Sequence, residues 1–555
     1  MSAVRYSPPR LSPGIDLDLS RNEGRTPATD LMPSVVELGE LIRRYPDTTA
    51  LLRQLARLHD LREDQLLVTA GGDDALLRCF LARLGPGLTA VTTTPTFEMI
   101  SIYADQVGSR LVEVEWWDGP YPTADVIAAA GGAGVVFVVS PNNPTGATIT
   151  EAELGGVSDA VPLVVLDAAY AEFADRDLTP AALEMGNVVV VRTLSKAYGL
   201  AGLRVGYLLG SPDLIAEVSG FGSPYPVSSL STVLATETLS RDDNGVSLFV
   251  DEIRTERTEL TVLFETLDVR PLQSQANFVL AETADAGWVT DACASLGVGI
   301  RRFPERGALG SWVRVTLPGD PNDFERLKRT LTTVLAPEAV LFDLDGVLAD
   351  VTGSYRRSII ETARTFGVTV SQADIDNAKG SGAANDDWEL TRRLCVDQGV
   401  KLDYGQVVAR FEQVYQGFEN SPGLKFYERP LVDQNTWSRW AARLPLGVVT
   451  GRPRSDAEEV LDRFGLLTST SVLVAREDAP LKPDPRPVRL ALTRLDVRHA
   501  WMVGDTPDDI EAARSAQVVP IGVISPGSEP LAAHAMLNGA ARTLQRTVDL
   551  EEMLG

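Results

Sequence analysis

The chain has 555 residues, more than one hydrophobic core ordinarily organises, so two or three domains are expected. Apolar residues make up 44% and charged residues 23%, and the formal net charge of −25 argues against a nucleic-acid partner, because phosphate backbones need a basic surface. No apolar run is long enough for a bilayer, and the first residues lack a signal-peptide pattern, so a cytoplasmic protein is predicted. The three cysteines and three histidines are scattered, which disfavours disulfides and a Cys/His metal site.

The first part of the chain, from about residue 50 to 335, alternates apolar strand-like runs with helical patterns. This alternation predicts an α/β domain with a largely parallel sheet. The strand-like runs are LLVTAGG, LTAVTTTP, GVVFVVSPNNPTG, PLVVLDAAY and NVVVVRTLSK.

A second α/β pattern begins where a helical pattern gives way to a new strand at Ala336-Pro337. The change predicts a boundary near 337, with domains at 1–336 and 337–555. A stretch at about 354–435 is rich in helical patterns and is predicted as an insertion over the mouth of the second sheet. The strand-like runs of this part are VLFDLDG, LGVVTGR, SVLVARED, AWMVGDTPDD and VVPIGVI.

Three polar segments follow strand-like runs of the first part: SPNNPTG (140–146), VLDAAY (165–170) and RTLSKAYGLAGLRVGY (192–207). A strand-end aspartate such as Asp167 points into the crevice where parallel sheets bind ligands, and a carboxylate there can keep a pyridinium nitrogen protonated. Lys196, flanked by hydroxyls and near an arginine, suits a Schiff base beside an anchored phosphate. A solvated loop lysine among core strands is the alternative, and the occurrence of all three segments in this order disfavours it.

Three further motifs occur earlier in the chain: RRYPD (43–47), TAGGDDAL (69–76) and PTFEM (95–99). Together they make the part at about 15–335 resemble fold-type I pyridoxal-phosphate aminotransferases, most closely the histidinol-phosphate aminotransferase family. The resemblance implies a mostly parallel central sheet with large and small subdomains, pyridoxal 5'-phosphate as cofactor, glutamate as amino donor and a homodimer.

The resemblance also implies individual roles. Lys196 would be the Schiff-base lysine and Asp167 the partner of the pyridine nitrogen. The other implied cofactor contacts are Asn143 and Tyr170 at the phenolic oxygen, Phe97 at the ring face, and Gly72, Asp73, Thr193, Ser195, Arg204 and, from the neighbouring subunit, Tyr45 at the phosphate. Substrate contacts are implied for Asn22, Asn277, Arg301 and Arg314, with Arg302 as a further basic candidate.

The first part departs from the family pattern at three places. It has DAAY, with Ala168, where the family usually has DEAY, and Phe97 where the family has tyrosine. SRNEG at 20–24 replaces the usual Asn-Glu-Asn-Pro. Because that segment lines the substrate side of the site in relatives, the departure bears on the identity of the substrate more than on the catalytic class.

The second part carries two aspartates, Asp343 and Asp345, after its first strand, and Gly346 permits a sharp turn there. One carboxylate can attack phosphorus while its neighbour shuttles protons. Phosphoryl transfer also needs Mg²⁺ and a lysine to neutralise charge. The downstream candidates are Thr450, Lys482, Asp505 and Asp509. A calcium loop is the alternative, but no bidentate glutamate follows at the required spacing.

These motifs resemble phosphatases of the haloacid dehalogenase superfamily over about 339–535, which implies a Rossmann-like domain with a helical cap. Asp343 would be the nucleophile and Asp345 the general acid/base. Thr450 and Lys482 would bind the transferring phosphoryl group. The implied Mg²⁺ site uses Asp343, Asp345 through its backbone, Asp505 and Asp509. Candidate substrate contacts in the cap are Arg356, Lys379, Asn385 and Trp388.

Two catalytic parts in one chain predict a bifunctional enzyme. The first would transfer an amino group from glutamate to a phosphorylated ketone, and the second would remove the phosphate from the amino product. The resemblance names these steps as imidazole-acetol phosphate to histidinol phosphate, then to histidinol. One alternative applies these chemistries, or pyridoxal-dependent decarboxylation as in a relative that acts on threonine phosphate, to another phosphorylated amino acid or amino alcohol in specialised metabolism. Another makes one half a binding or regulatory module, which the intact catalytic sets disfavour.

Overall fold

The computed structural model describes residues 14–26, 35–241, 245–304, 306–380, 386–418, 421–528 and 537–554. The chain divides into two compact units. The first comprises Leu17–Ala286 and Gly299–Arg326, and the second Leu327–Gly555 with the short segments Ser12–Asp16 and Gly287–Val298. Among the described helices, none is long and apolar enough to cross a membrane.

The strands before residue 320 are two to six residues long. In chain order they are β1 (Leu17–Asp18), β2 (Leu66–Thr69), β3 (Thr89–Thr94), β4 (Arg110–Glu115), β5 (Val135–Val139), β6 (Val164–Asp167), β7 (Val188–Thr193), β8 (Gly206–Leu209), β9 (Arg270–Pro271), β10 (Phe278–Glu282), β11 (Val298–Gly299), β12 (Arg301–Arg302) and β13 (Trp312–Thr316).

The helices of the same part of the chain alternate with these strands. They are α1 (Val35–Arg43), α2 (Thr49–His59), α3 (Gly71–Arg83), α4 (Met99–Val107), α5 (Thr123–Ala129), α6 (Glu151–Ala160), α7 (Thr179–Glu184), α8 (Pro212–Ser219), α9 (Ser229–Ser240), α10 (Gly245–Thr266), α11 (Ala286–Ser295) and α12 (Pro321–Leu335).

The first unit is organised by a seven-stranded sheet in the order β2-β8-β7-β6-β5-β3-β4, in which β8 alone runs antiparallel to its neighbours. The strands β5 and β7 are valine-rich and buried along their whole length, as strands are when helices cover both faces of a parallel sheet. A separate antiparallel sheet, β12-β13-β10-β9, carries the arginines of the site. The predicted α/β fold with a largely parallel sheet is confirmed.

The second unit contains the remaining strands and helices. Its strands are β14 (Ala339–Phe342), β15 (Ala349–Asp350), β16 (Gly417–Phe418), β17 (Ser421–Pro422), β18 (Arg429–Pro430), β19 (Leu446–Val449), β20 (Val472–Val474), β21 (Ala500–Gly504), β22 (Val519–Val523) and β23 (Arg542–Leu544). Its helices are α13 (Tyr355–Thr365), α14 (Gln372–Gly380), α15 (Asp387–Asp397), α16 (Tyr404–Gln416), α17 (Gln434–Ala441), α18 (Arg454–Arg463), α19 (Arg486–Leu495), α20 (Pro507–Ser515) and α21 (Glu551–Leu554).

A six-stranded parallel sheet in the order β20-β19-β14-β21-β22-β23 forms the centre of the second unit. Strand β14 lies between β19 and β21, so the residues that follow these three strands meet at one edge of the sheet. This edge holds the predicted phosphoryl-transfer residues.

The predicted helical insertion is present as α13 to α16, which lie in sequence between β15 and β18. Three of these helices, α13, α15 and α16, pack on one another. The strands β15 and β18 pair antiparallel, Ala349 with Pro430 and Asp350 with Arg429, so both ends of the insertion are joined at one place.

Candidate active sites

A cavity of about 280 Å³ opens at the carboxyl ends of β5, β6 and β7. Asp167 ends β6 and Thr193 ends β7, so the alternation of strand and helix that forms the sheet also brings these side chains to one place. Of the predicted residues, the cavity is lined by Asn22, Gly72, Asp73, Phe97, Asn143, Asp167, Tyr170, Thr193, Ser195, Lys196, Arg204, Arg301 and Arg314. Tyr45, Asn277 and Arg302 lie outside its lining.

Asp167 is a buried carboxylate at this edge of the sheet. Its Oδ1 accepts a hydrogen bond of 3.1 Å from the Ala169 amide. Burial raises its pKa to about 7, and Asp73 adds to the shift, while Lys196 acts in the opposite direction. A buried carboxylate in this environment is stabilised by a cation beside it, and a protonated pyridine nitrogen is such a cation.

We expect Asp167→Asn to stabilise the cofactor-free protein at about pH 8 and to weaken its hold on pyridoxal phosphate. Because the pKa is raised from 3.8 to about 7, the folded protein keeps a proton that the unfolded chain has released, and its stability falls as pH rises through that window. Asparagine removes the buried charge, so we expect a gain of about 2–4 kcal/mol above about pH 7. Urea unfolding at about pH 5 and pH 8 measures it, and an equal gain at both would contradict the cause.

Lys196 lies beside Tyr170, with its Nζ 5.6 Å from the centre of the tyrosine ring. The altered SRNEG segment runs against the lysine backbone, because a Cβ at Gly24 would lie 2.0 Å from the Lys196 carbonyl oxygen. Asn22 of the same segment has a left-handed backbone, with φ of 56°, and donates from Nδ2 to the Tyr170 hydroxyl at 3.0 Å. The departure from the family pattern therefore falls directly on the site.

Asn22 accepts two further hydrogen bonds. Its Oδ1 accepts a hydrogen bond of 2.8 Å from the Thr316 hydroxyl, and its carbonyl oxygen accepts one of 3.4 Å from Asn277 Nδ2. Asn277 is buried, does not line the cavity, and contacts the segment through this hydrogen bond. Tyr45 is 81% exposed, stacks on Tyr225 with ring centres 4.8 Å apart, and does not line the cavity of its own chain.

The N-terminus of α3 forms the end of the cavity that suits a phosphate. Gly71 has a φ of +81°, and a Cβ added at Gly206 would lie 2.4 Å from the Gly71 carbonyl carbon, so both positions favour glycine. Arg204 Nη2 lies 2.6 Å from Asp73 Oδ2. The free amides of a helix start, together with a guanidinium, make an anion site.

Two hydroxyls complete the same end of the cavity. Ser195 accepts a hydrogen bond of 2.9 Å from the hydroxyl of Thr193, which in turn accepts one of 3.2 Å from the Ser195 amide. Both residues are buried. The volume, the buried carboxylate of Asp167 and this anion site together fit a pyridoxal phosphate.

Arg314 and Arg301 line the cavity and lie on neighbouring strands. They face each other across β12 and β13. Arg314 donates from Nη1 to Asn143 Oδ1 at 2.6 Å and from Nη2 to the Ser20 carbonyl at 2.9 Å. Arg302, the next residue of the strand, is exposed, because successive side chains of a strand point to opposite faces.

Arg306 is a lining residue that the sequence reasoning missed. It donates from Nη2 to the Thr96 carbonyl at 3.0 Å, and burial lowers the pKa of its guanidinium. Glu98 also lines the cavity, 3.9 Å from Arg301. The sequence offered a signal for Arg306, because it follows Arg301 and Arg302 within the short segment RRFPER (301–306), which holds three arginines.

The second candidate site lies where β14, β19 and β21 end. Lys482 Nζ donates to Asp343 Oδ1 at 2.6 Å and to the Val449 carbonyl at 3.0 Å, and lies 2.5 Å from Asp509 Oδ1. These three charged side chains are almost fully buried. Such a set is stable only when the charges are paired, and the removal of one partner is strongly destabilising.

Three carboxylates at this edge could hold a metal ion. One oxygen each of Asp343, Asp505 and Asp509 lies within 4.8 Å of the others. Asp509 is fixed by the start of α20, where its Oδ2 accepts 2.7 Å from the Thr506 hydroxyl. Gly346 has a φ of +76°, and a Cβ there would lie 2.1 Å from Asp505 Oδ2, so the turn needs glycine. Carboxylate oxygens fit Mg²⁺.

The electrostatics of Asp343 depend on its neighbours. Burial raises the pKa of this carboxyl group, and the carboxylates of Asp509, Asp345 and Asp505 add to the shift. Lys482 acts in the opposite direction. The ionised form needed for attack on phosphorus therefore depends on positive charge at the site.

The side chain of Asp345 lies apart from the carboxylate cluster. Its Oδ1 accepts two hydrogen bonds from Arg452, from Nε at 2.8 Å and from Nη2 at 2.5 Å. Thr450 follows β19, is buried, and accepts a hydrogen bond of 3.2 Å from the Arg452 amide. Sequence reasoning chose Thr450 from the VVTGR segment and missed Arg452.

A small cavity of about 30 Å³ joins this edge to the inserted helices. It is lined by Asp343, Asp345, Tyr355, Asp387, Trp388, Gly451, Arg452, Pro453, Arg476, Asp505 and Thr506. Trp388 is thus at the cavity, with Arg476, which sequence reasoning missed, 4.2 Å from its ring.

The other insertion candidates are placed differently. Arg356 donates to Asp376 at 2.7 Å and to the Ser525 hydroxyl at 3.1 Å, and it is not part of the lining. The Lys379 side chain and Asn385 lie outside the described residues.

The fold and the two sites define an α/β enzyme with an aminotransferase domain of fold type I and a haloacid dehalogenase-like hydrolase domain. Residues 15–331 match the family model of class I and II aminotransferases, and the chain belongs to that family. Residues 337–517 match the model of haloacid dehalogenase-like hydrolases. Both family resemblances predicted from the sequence are confirmed.

Similar proteins agree with this assignment. Histidinol-phosphate aminotransferase of Caldanaerobacter subterraneus is 33% identical over 289 residues, which cover 50% of this chain and 82% of that protein. A solved structure of histidinol-phosphate aminotransferase from Sinorhizobium meliloti with pyridoxal-5'-phosphate has a TM-score of 0.53 at 25% identity, over 58% of this chain and 91% of that one.

A third relative differs in kind. Imidazoleglycerol-phosphate dehydratase of Phytophthora nicotianae is 46% identical over 197 residues, which cover 34% of this chain and 44% of that protein. The chain therefore spans less than half of the length of this relative.

Proposed function

We propose that the chain is a bifunctional enzyme that transfers an amino group from glutamate to a phosphorylated ketone and then removes the phosphate from the amino product, with histidinol phosphate as the shared compound. The observation that carries the proposal is the presence, in one chain, of a cavity with Lys196 and Asp167 and of a buried set with Asp343 and Lys482. The names of two relatives, a histidinol-phosphate aminotransferase and an imidazoleglycerol-phosphate dehydratase, support this substrate.

The proposed role of the first site is amino transfer. When bound, pyridoxal 5'-phosphate supplies an electron sink for the charge that develops on the substrate carbon. Lys196 would hold the cofactor, and its Nζ would move the substrate proton. Asp167 would hold a proton on the ring nitrogen, and Asn143 and Tyr170 would orient the ring. The anion site at the start of α3 would bind the phosphate of the cofactor.

The substrate side of this cavity supports an anionic substrate. Arg301, Arg306 and Arg314 line it together with Glu98. A bidentate guanidinium suits a carboxylate or a phosphate, and the proposed substrates alternate between glutamate and a phosphate ester. Glu98, opposite Arg301, is suited to bind a positively charged group of the substrate.

The proposed role of the second site is phosphate removal in two displacements. Asp343 attacks phosphorus, the bond to the leaving oxygen breaks, and that oxygen keeps the electron pair and takes a proton from Asp345. Water then attacks the phosphorus of the aspartyl phosphate and gives a proton to Asp345. The bond between phosphorus and the Asp343 oxygen breaks, and inorganic phosphate is released. Lys482, with Thr450, would bind the phosphoryl group. Asp343, Asp505, Asp509 and the backbone of Asp345 would hold Mg²⁺, which neutralises charge on that group.

Three further properties belong to the proposal. The enzyme would be cytoplasmic. It would also be a homodimer, which is supported by the position of Tyr45 outside the cavity of its own chain. The domain boundary would fall near 337, between the end of α12 at Leu335 and the start of β14 at Ala339. The helices α13 to α16 would form a cap over the second site, supported by Tyr355 and Trp388 in the lining of its cavity.

The deciding experiment supplies histidinol phosphate, 2-oxoglutarate and Mg²⁺ and measures glutamate and inorganic phosphate separately. We expect both products, and we expect a chelator to stop phosphate release while glutamate formation continues. If neither product forms while another phosphorylated amino acid or amino alcohol is turned over, the substrate is wrong and the chemistry stands. If carbon dioxide is released in place of glutamate, the first site is a decarboxylase.

A further inference from the structure

Arg452 is the centre of a buried network of charges beside the second site. We call the Arg452 network the set formed by Asp345, Arg452, Glu428, Tyr415 and Arg463. The side chains of Arg452 and Glu428 are 1% and 0% exposed. Two cations and two carboxylates therefore balance each other, with Arg452 and Glu428 buried at the centre and Asp345 and Arg463 22% and 27% exposed at the two ends.

The side of the network that faces the site fixes one oxygen of Asp345. Arg452 donates to Oδ1 from Nε at 2.8 Å and from Nη2 at 2.5 Å. Among the described residues, none donates to Oδ2 of this carboxyl group. A carboxyl group held in this way has a fixed plane and one oxygen that can carry a proton.

The opposite side of the network belongs to the insertion. Tyr415, at the end of α16, accepts a hydrogen bond of 2.9 Å from Arg452 Nη1, and Glu428 accepts one of 2.9 Å from Nη2. The ring of Tyr355 lies 4.4 Å from the guanidinium. Because these three residues come from the segment between β14 and β19, that segment sets the direction of the guanidinium.

Glu428 is itself held by several donors. It accepts from the Ser354 hydroxyl at 3.0 Å, from the Tyr415 hydroxyl at 3.1 Å and from Arg463 Nη2 at 2.6 Å. Arg463 thus shares Glu428 with Arg452 without a contact to Asp345, which makes it a matched control.

The hydrogen bonds that Arg452 already donates argue against bidentate binding of a phosphoryl group by this residue. A guanidinium has five N–H donors. Four are used, two on Asp345, one on Tyr415 and one on Glu428. One donor is left, whereas a bidentate grip on a phosphoryl group needs two.

We propose that Arg452 is the positioning residue for Asp345, which it orients for proton transfer to the leaving oxygen, and that the insertion controls this orientation through Tyr415 and Glu428. The inference rests on the proposed phosphate removal. As the bond between phosphorus and the leaving oxygen breaks, the proton moves from Asp345 to that oxygen. Without Arg452, the carboxyl group of Asp345 loses the two hydrogen bonds that fix its orientation.

The test compares two substrates of nearly equal shape, phenyl phosphate and 4-nitrophenyl phosphate. Phenolate is a basic leaving group that needs a proton, whereas 4-nitrophenolate leaves without one. We expect Arg452→Met to lower kcat/KM for phenyl phosphate at least about tenfold more than for 4-nitrophenyl phosphate, because general acid catalysis is worth roughly 10²–10⁴-fold. Asp345→Asn should give the same selective loss, and Arg452→Lys, which keeps the charge but not the fork, an intermediate one.

Arg463→Met is the control, since it also removes a partner of Glu428, and we expect it to change both substrates by the same factor. An equal loss on both substrates in Arg452→Met would overturn the inference and leave the proposed function intact. A wild-type protein that hydrolyses neither phenyl phosphate, 4-nitrophenyl phosphate nor histidinol phosphate would overturn both. If Arg452→Met does not fold, as thermal unfolding would show, Arg452→Lys carries the same comparison.

Discussion

Replacement of Lys196 with alanine is expected to lower the rate of glutamate formation by about a thousand-fold or more, while phosphate release continues at the wild-type rate. The lysine amine is the nucleophilic group of a cavity whose other polar side chains are carboxylates, hydroxyls, two amides and guanidinium groups, so the removal of this amine leaves no substitute. A coupled assay for glutamate measures the loss, and the absorbance of the bound coenzyme reports whether it is still held.

Lys196→Arg is the matched variant, because it keeps the positive charge 5.6 Å from the Tyr170 ring but not the nucleophilic amine. We expect it to be as inactive as the alanine variant. Substantial transamination by Lys196→Arg would mean that the residue acts only through its charge, which would contradict the assigned role.

Replacement of Asp343 with asparagine is expected to lower phosphate release by about a thousand-fold or more without changing transamination. Asparagine has nearly the same shape and can keep an oxygen near Lys482 Nζ, now 2.6 Å from Oδ1, but it is a poor nucleophile toward phosphorus. Phosphate released from histidinol phosphate measures the effect. Glutamate formation by the same preparation is the internal control.

A stability measurement separates chemistry from folding for this variant. Lys482 keeps Asp509 at 2.5 Å when Asp343 becomes neutral, so the buried lysine is still paired. Lys482→Met, by contrast, leaves two buried carboxylates without their cation and should cost about 3–5 kcal/mol in unfolding free energy. Asp343→Asn protein that unfolds as readily as Lys482→Met would show that the lost activity reflects damage to the fold.

The parts of the fold that follow from local patterns were predictable. Valine-rich runs such as β5 and β7 are buried on both faces, and their lengths and spacing determine a parallel sheet. A residue at or just after the end of such a strand, as Asp167 is in the first sheet and Asp343 in the second, lies at the carboxyl edge of its sheet whatever the loops do. The sheet edge therefore explains why most of the candidate residues were found from sequence.

The parts that were missed depend on contacts between distant segments. Arg452 lies 107 residues from Asp345 and reaches it only because β14 and β19 are neighbours in the sheet. Glu428 lies at the end of the helical insertion, just before β18, and no periodicity of the sequence specifies how that insertion packs. Arg301 lines the cavity whereas Arg302 is exposed. This difference depends on the register of a two-residue strand, which is too short to show an alternating pattern in the sequence.

The antiparallel pair of β15 and β18 has a consequence for how such an enzyme can diversify. The insertion begins and ends at two paired dipeptides, Ala349-Asp350 and Arg429-Pro430, so its length and sequence can change without altering the register of the six-stranded sheet. The residues that follow β14, β19 and β21 lie outside this segment, so a change of the whole segment leaves them in place. A changed insertion has to supply its own equivalents of Tyr415 and Glu428, because these two side chains hold Arg452, and Arg452 in turn holds Asp345.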